Sequence, residues 1–448
     1  MNIALDFRET SVWVDAPEDL QPPLDADTRA DVIIIGGGLT GLSTALCLRQ
    51  AGIDVLLLEM DYCGHGASGR NAGHLTPTIG KDLQTLVKYV GRERAAQLAA
   101  FAERAVQYTE QVLADHMIEC HYQPVGNIVA GLHARHRDPL RRAADLAAGI
   151  GVKSTFLDEV EMQRRGLPQT FRFGVLEGSG GHLHPGKYVM GLRRAALMAG
   201  VRICETSRVG AIDEAAIRVR VGPVTASGRK LVLATNGYTP VTLNRMGDRL
   251  FPLRDTLFRT APLSDDQLAA IGWAGREGIY TAHESLESYR LTADRRIVGG
   301  SKFVQYGYGS TLVDGRMPAL FERFRRLFSE RFPELRNVEI ETFWGGWIAM
   351  TLDFLPLSYA NPARTVFYGM GYNGHGLAQA TYNGRLLADQ VLDRPNGDVD
   401  LLRRRGMPLP PEPLRWLIIH GLMRYYDSVD RRVDADLRRS SEPAPRQV

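Results

Sequence analysis

The segment Asp31-Val-Ile-Ile-Ile-Gly-Gly-Gly-Leu-Thr-Gly41, with Val55-Leu-Leu-Leu-Glu59 downstream, restricts this chain more than any other stretch. Val32, Ile33, Ile34 and Ile35 form a short β-branched run, the composition of a parallel strand buried on both faces. Gly36, Gly38 and Gly41 satisfy G-x-G-x-x-G, and Leu39 and Thr40 begin a helix predicted over 39–50, which Gly52 ends. Val55 to Leu58 then reads as a second strand, closed by the acid Glu59. Glycines by themselves would equally suit close packing of a helix on a sheet. Strand, glycines, helix, strand and terminal acid in one short unit point to a dinucleotide, with pyrophosphate at the helix N-terminus and the carboxylate on the adenosine ribose. An acid at that position suits a free 2′-hydroxyl, so NADP is the poorest fit.

The chain has 448 residues, 44% hydrophobic and 23% charged, enough for two or three domains of ordinary globular composition. A net charge of +3 is too mild to indicate nucleic acid as a partner. Cys47, Cys63, Cys120 and Cys204 are scattered with no ligand spacing, so neither a metal site nor a disulfide framework is expected. The opening residues carry acids and prolines rather than a basic stretch followed by an apolar one, which makes a cytoplasmic location the expectation. No apolar run reaches the length of a membrane-spanning helix, about 18 residues or more.

Residues 1–30 read as an irregular lead-in and 64–80 as loop. Helices are predicted over 81–116, 135–150 and 316–332, with strand-like patches over 118–131 and 250–310. A glycine loop, Gly369-Met-Gly-Tyr-Asn-Gly-His-Gly376, opens a helix over 377–392. The strand–helix–strand material is split among 31–60, 180–236 and 366–392. The predicted class is α/β, α+β overall, with a Rossmann-like nucleotide-binding domain (1–85, 176–238 and 341–400) interleaved with a sheet-containing substrate domain (86–175 and 239–340). Residues 401–448 form a C-terminal helical extension. Its apolar stripe, Leu414, Leu417, Ile418, Leu422, Tyr425 and Tyr426, fits packing on the catalytic part, a dimer partner or a peripheral membrane contact. Monomer and homodimer both remain open.

Several further segments, in order, carry a resemblance: Gly66-Ala-Ser-Gly-Arg-Asn-Ala-Gly73, Gly181-His-Leu-His-Pro185, Leu233-Ala-Thr-Asn-Gly-Tyr238, Tyr289-Arg-Leu-Thr292, Trp344-Gly-Gly, Thr351-Leu-Asp-Phe-Leu-Pro356 and Gly371-Tyr-Asn-Gly-His-Gly376. With the opening unit they make the chain resemble the FAD-dependent D-amino acid oxidase-like family, nearest its gamma-glutamylputrescine oxidase branch. The resemblance implies an extended FAD. Gly36, Gly38, Leu39, Thr40, Gly41 and Glu59 would hold the adenosine end, Ser68, Arg70 and Asn71 the pyrophosphate and flavin flank, and Val209 the adenine. Gly371, Asn373, Gly374, His375 and Gly376 would lie along the flavin pyrimidine edge, where helix N–H groups suit the negative charge of reduction. His74 would stack near the ring. Relatives that attach flavin covalently use a His or Cys. The His position aligns with Arg70, so FAD is expected to be non-covalent.

The implied activity is oxidation of a C–N bond in an amine or amino acid, of secondary-amine or gamma-glutamyl-polyamine type, to an imine that hydrolyses. Electrons would pass to O2. The alternatives are a dehydrogenase feeding a quinone and a non-catalytic FAD-binding protein. Arg290 is the candidate clamp for a substrate carboxylate, and Tyr289, Trp344 and His375 complete the candidate catalytic set. Trp347 and Tyr372 are candidate pocket walls, and Glu284 and Glu287 candidate receivers of a distal cation. Sarcosine oxidases place a lysine over the flavin. Here that position aligns with Ile297, with Lys302 nearby.

Overall fold

The computed structural model describes residues 7–239, 243 and 246–441. The first six residues of the predicted lead-in lie outside that set.

Val32–Ile35 and Val55–Leu58 pair in parallel, with every side chain buried. They sit inside a six-stranded sheet whose order, by residue, is 357–360, 366–370, 230–233, 32–35, 55–58, 202–204. Three segments far apart in sequence thus form one sheet, parallel except at the 357–360 edge. The reason is apolar continuity: Ile33, Ile34, Leu57, Leu231, Val232, Val366 and Phe367 are all fully buried, each worth about 1.5–3 kcal/mol. The helices Leu39–Gln50 and Gly376–Val391 cover one face and meet each other closely. Gly384 has no room for a Cβ, which would lie 2.7 Å from Thr40 O.

A second sheet has eight strands, in the order 340–350, 251–260, 297–300, 288–291, 278–281, 127–131, 173–177, 154–157. Its long hairpin-like pair, Phe251–Thr260 against Ile340–Met350, is antiparallel throughout. One face carries Phe258, Tyr289, Leu291 and Ile297 into an aromatic core with Phe324 and Phe328 of the helix Pro318–Arg331. The other face, with Leu257, Tyr280 and Ser288, lines a cavity. The helical expectation over 81–116 resolves into Leu83–Val90 and Arg92–Asp115, divided at Gly91, whose φ of +80° interrupts the helix.

The C-terminal helix Leu414–Ser441 packs through Ile419 on Phe251 and Leu253 of the eight-stranded sheet and lines the cavity with Leu422, Tyr426 and Asp430. Ile419 and Val433 are buried, while Leu414, Leu417, Ile418, Leu422 and Tyr425 are exposed. Among the described residues, no helix is long and apolar enough to cross a membrane.

Candidate active site

Gly36 has φ +107°, and a Cβ there would lie 2.7 Å from Ala234 O, so only glycine makes this turn. The first helix begins without a side-chain cap at Gly38. Ser68 Oγ accepts from Leu39 N–H at 3.0 Å, tying the 66–73 loop to that helix start. Glu59 accepts from Gly37 N–H at 2.7 Å and from Asp61 N–H at 3.1 Å. Burial pushes its carboxyl up, and those two N–H groups oppose the shift.

A cavity of about 1020 Å3 runs from this turn, along the 66–74 loop, to the free face of the eight-stranded sheet. Of the residues expected to hold a cofactor, Gly36, Gly38, Leu39, Thr40, Glu59, Ser68, Arg70, Asn71, His74, Val209, Asn373, Gly374, His375 and Gly376 line it. Gly41 and Gly371 do not. A Cβ on Gly41 would lie 1.9 Å from Gly36 O, so it serves helix–strand packing, and Gly371 turns the backbone at φ +80°. Val209 sits where the pairing of 209–213 with 218–221 shifts register. The helix Gly376–Val391 also starts with no side-chain cap, at His375, and delivers unpaired N–H groups to the cavity. Two helix starts without a cap from their own N-cap residue, a glycine turn with no room for a side chain and a half-buried acid at the second strand's end fit an FAD laid end to end.

The part of the cavity at the sheet face forms a chamber. Tyr280 stands between His74, at 4.6 Å between ring centroids, and His375, at 6.4 Å. Asn127 donates its amide hydrogens to Leu75 O (3.0 Å) and Gly181 O (3.3 Å), so its Oδ1 accepts from His74 Nδ1 at 3.0 Å. His74 Nε2 is therefore an unprotonated acceptor, and it has no partner. Burial holds this imidazole down to about 3, hence neutral. His375 is likewise lowered by burial, and its Nδ1 donates to Asn373 O at 3.1 Å. Burial raises the Tyr280 hydroxyl well above its usual range, so it stays protonated.

The other expected catalytic side chains lie outside the lining. Tyr289 points into the aromatic core and donates to Glu287 Oε2 at 3.0 Å. Trp344 is fully buried and donates to Arg70 O at 2.9 Å. Arg290 lies behind the 66–73 loop, bonded to Ala72 O, with its guanidinium 5.0 Å from the Trp13 ring centroid. Trp347 does line the cavity. Tyr372 lines it too, but its hydroxyl is held by Thr40 Oγ1 (2.6 Å) and Asn383 Nδ2 (3.1 Å).

Glu287 is consumed as well. Arg331 bonds both its oxygens at 2.9 Å, and Lys302 lies 3.4 Å from it and 3.1 Å from Asp430. Arg331 also bonds Asp434 at 2.5 Å. His283, Glu287 and Asp434 have the donor atoms of a metal site, yet these two cations already neutralise the carboxylates. Burial would raise Glu287, but Arg331, Lys302 and His283 overcome it and hold the carboxyl down to about 2. The residues missed by sequence reasoning are Tyr280, Glu177 and the lining face of the C-terminal helix, including Leu422, Tyr426 and Asp430. Strand alternation marks Tyr280 and Glu177 only as facing some side of a sheet.

Residues 31–390 match the family model DAO, FAD dependent oxidoreductase. The chain is 30% identical over 392 residues to gamma-glutamylputrescine oxidoreductase of Escherichia coli (strain K12), covering 85% of this chain and 89% of that protein. Among solved structures it is similar to glycine oxidase from Geobacillus kaustophilus, with a TM-score of 0.67 at 19% identity, over 82% of this chain and 96% of that one. It is also similar to L-proline dehydrogenase from P. horikoshii, with a TM-score of 0.70 at 16% identity, over 84% and 96%. These two likenesses show the fold. With the family match they confirm the interleaved α/β class, and the chain belongs to the DAO family of FAD-dependent oxidoreductases.

Proposed function

We propose that the chamber oxidises the C–N bond of an amine or amino acid, of secondary-amine or gamma-glutamyl-polyamine type, to an imine that hydrolyses, with O2 taking the electrons. The observation that carries this reading is the pair of neutral imidazoles, His74 and His375, flanking Tyr280 where the second uncapped helix meets the sheet. Bound FAD, held non-covalently, supplies the hydride acceptor. No cysteine lines the cavity among the described residues, and Arg70 is engaged by His65 O, Glu9 O and Gly345 O.

The chain's own part is positioning. The burial that keeps His74 uncharged also disfavours an ammonium beside it, so the reacting amine is presented with its lone pair free. His74 Nε2 is the acceptor for the amine N–H, and the Tyr280 hydroxyl is a donor across from it. The helix start at Gly376 would supply positive potential to the flavin pyrimidine edge. The similarity to a gamma-glutamylputrescine oxidoreductase supports the substrate class.

A specific observation favours quinone as an alternative acceptor. Ile297 lies in the aromatic core, and Lys302 is bound by Glu287 and Asp430 rather than facing the chamber. The exposed apolar ridge of the C-terminal helix gives such an acceptor an approach. The test is anaerobic mixing of the yellow protein with polyamines, gamma-glutamyl amines, N-methyl amino acids, D-amino acids and proline. Loss of the visible flavin band with at least one of them is expected, and no bleaching across the panel contradicts the reading. Hydrogen peroxide released in air identifies O2 as acceptor. Turnover with a quinone and no peroxide identifies the alternative.

A further inference from the structure

The strand Phe173–Glu177 presents Val175 and Glu177 to the cavity by simple alternation. Glu177 is partly buried, lies opposite Asn127 in register and stands near Tyr280. Neither Glu177 nor the neighbouring Glu103 of the helix Arg92–Asp115 has a cationic partner among the described residues, and Glu103 Oε1 is buried with no hydrogen bond. Such a pair is unusual, because carboxylates drawn out of solvent, even in part, are ordinarily paired. Glu205 and Glu287, by contrast, are paired: Glu205 bonds Arg193 at 2.7 Å, and Glu287 bonds Arg331. A second unsatisfied group lies in the same chamber. His74 is nine-tenths buried, lines the wall and leaves Nε2 unpartnered. Around Asn127 and Tyr280 the chamber wall therefore lacks a hydrogen-bond donor for His74 and a positive charge for Glu177.

Resting on the amine-oxidising reading above, we propose that Glu177, backed by Glu103, recognises a second ammonium on the substrate. The preferred substrates are then amines of the diamine or polyamine type, with one nitrogen presented uncharged at His74 and the other ionised at Glu177. The remaining titratable groups facing Glu177 are Glu103 and Tyr280, and neither supplies positive charge. Burial and the Glu103 carboxyl raise Glu177 to about 7, which is the state expected of an acid awaiting a cation. The same low-dielectric wall strengthens its attraction for an ammonium once one enters. Arg290 is bonded to Ala72 O on the 288–291 strand, with two strands between it and 173–177, and it does not act on Glu177.

The test uses the FAD-loaded protein. KM and kcat are measured for a diamine, for its mono-N-acetyl derivative of similar length and for an α-amino acid, in wild type, Glu177→Gln, Glu177→Asp and Glu103→Gln. Wild type is expected to favour the diamine. Glu177→Gln should raise its KM about ten- to a hundred-fold, the usual worth of a charged hydrogen bond, with a smaller fall in kcat. Glu177→Asp should recover part of the loss, and its flavin spectrum reports folding if the Gln variant is unstable. Glu103→Gln removes repulsion, so the pH at which diamine KM improves should move down from about 7. An unchanged diamine-to-acetyl KM ratio in Glu177→Gln, or a wild-type preference for the α-amino acid, overturns the proposal. Failure of every amine to bleach wild-type flavin would instead sink the functional reading beneath it.

Discussion

At the scale of single residues, Glu59 shows how one carboxylate does two tasks. It closes the Gly37 turn through a 2.7 Å bond, and it lines the cavity where the ribose of FAD is proposed to lie. Glu59→Arg should remove both. The expected outcome is FAD affinity weakened about ten- to a hundred-fold, read as a lower flavin-to-protein ratio after dialysis. An unchanged ratio would contradict the assignment. This residue was legible in the sequence because its meaning comes from spacing to three nearby glycines. Arg290 was not legible in the same way. The resemblance implied that its strand faces the flavin, but Arg290 lies outside the cavity lining, and its capture by Ala72 O depends on a loop two hundred residues earlier in the chain. Glu177 carried no local signal, since an acid at a strand end is usually solvated.

At the scale of elements, the C-terminal helix is fastened by charge rather than by apolar surface alone. Its Asp430 accepts from Glu284 N–H (2.9 Å), Ser285 N–H (3.0 Å) and Lys302 Nζ (3.1 Å), and its Asp434 bonds Arg331. Tearing Arg331 out leaves Glu287 and Asp434 buried against each other's charge. Arg331→Met should cost about 3–5 kcal/mol, seen as an earlier denaturant midpoint. An unshifted midpoint would show that the network contributes nothing. The pH response follows from Glu287. Its folded value, about 2, lies below its ordinary value of 4.5, so its stabilisation is complete above about 4.5 and is lost as pH falls toward 2. Acid should thus release the C-terminal helix and open the chamber, measurable as increased quenching of flavin fluorescence by iodide. No rise in quenching before global unfolding would contradict this. The helix itself was readable from its apolar stripe. Its role as a cavity wall was not, because the partners come from 281–287, 302 and 331, brought together only by the eight-stranded sheet.

At the scale of the molecule, the six-stranded sheet makes a single nucleotide cradle from residues near 35, 235 and 370. The sequence was strong here, since each segment pairs a buried strand with a glycine exit. The boundary between cradle and substrate part was harder to place, because the 340–350 strand belongs to the eight-stranded sheet while Gly346 and Ile348 line the cofactor cavity. Parallel strands need cover on both faces, and the interleaved chain supplies it from distant segments: helices 39–50, 185–198 and 376–391 on one face, and the strands 209–213, 218–221 and 224–227 on the other. The most direct measurement is a crystal structure of the FAD-loaded protein soaked with a slowly reacting amine. The account predicts pyrophosphate at Gly36 and Gly38, the flavin pyrimidine edge at Gly374 to Gly376, and the amine nitrogen near His74 and Tyr280. Cofactor bound elsewhere, or a flavin whose open face is turned away from Tyr280, would contradict it.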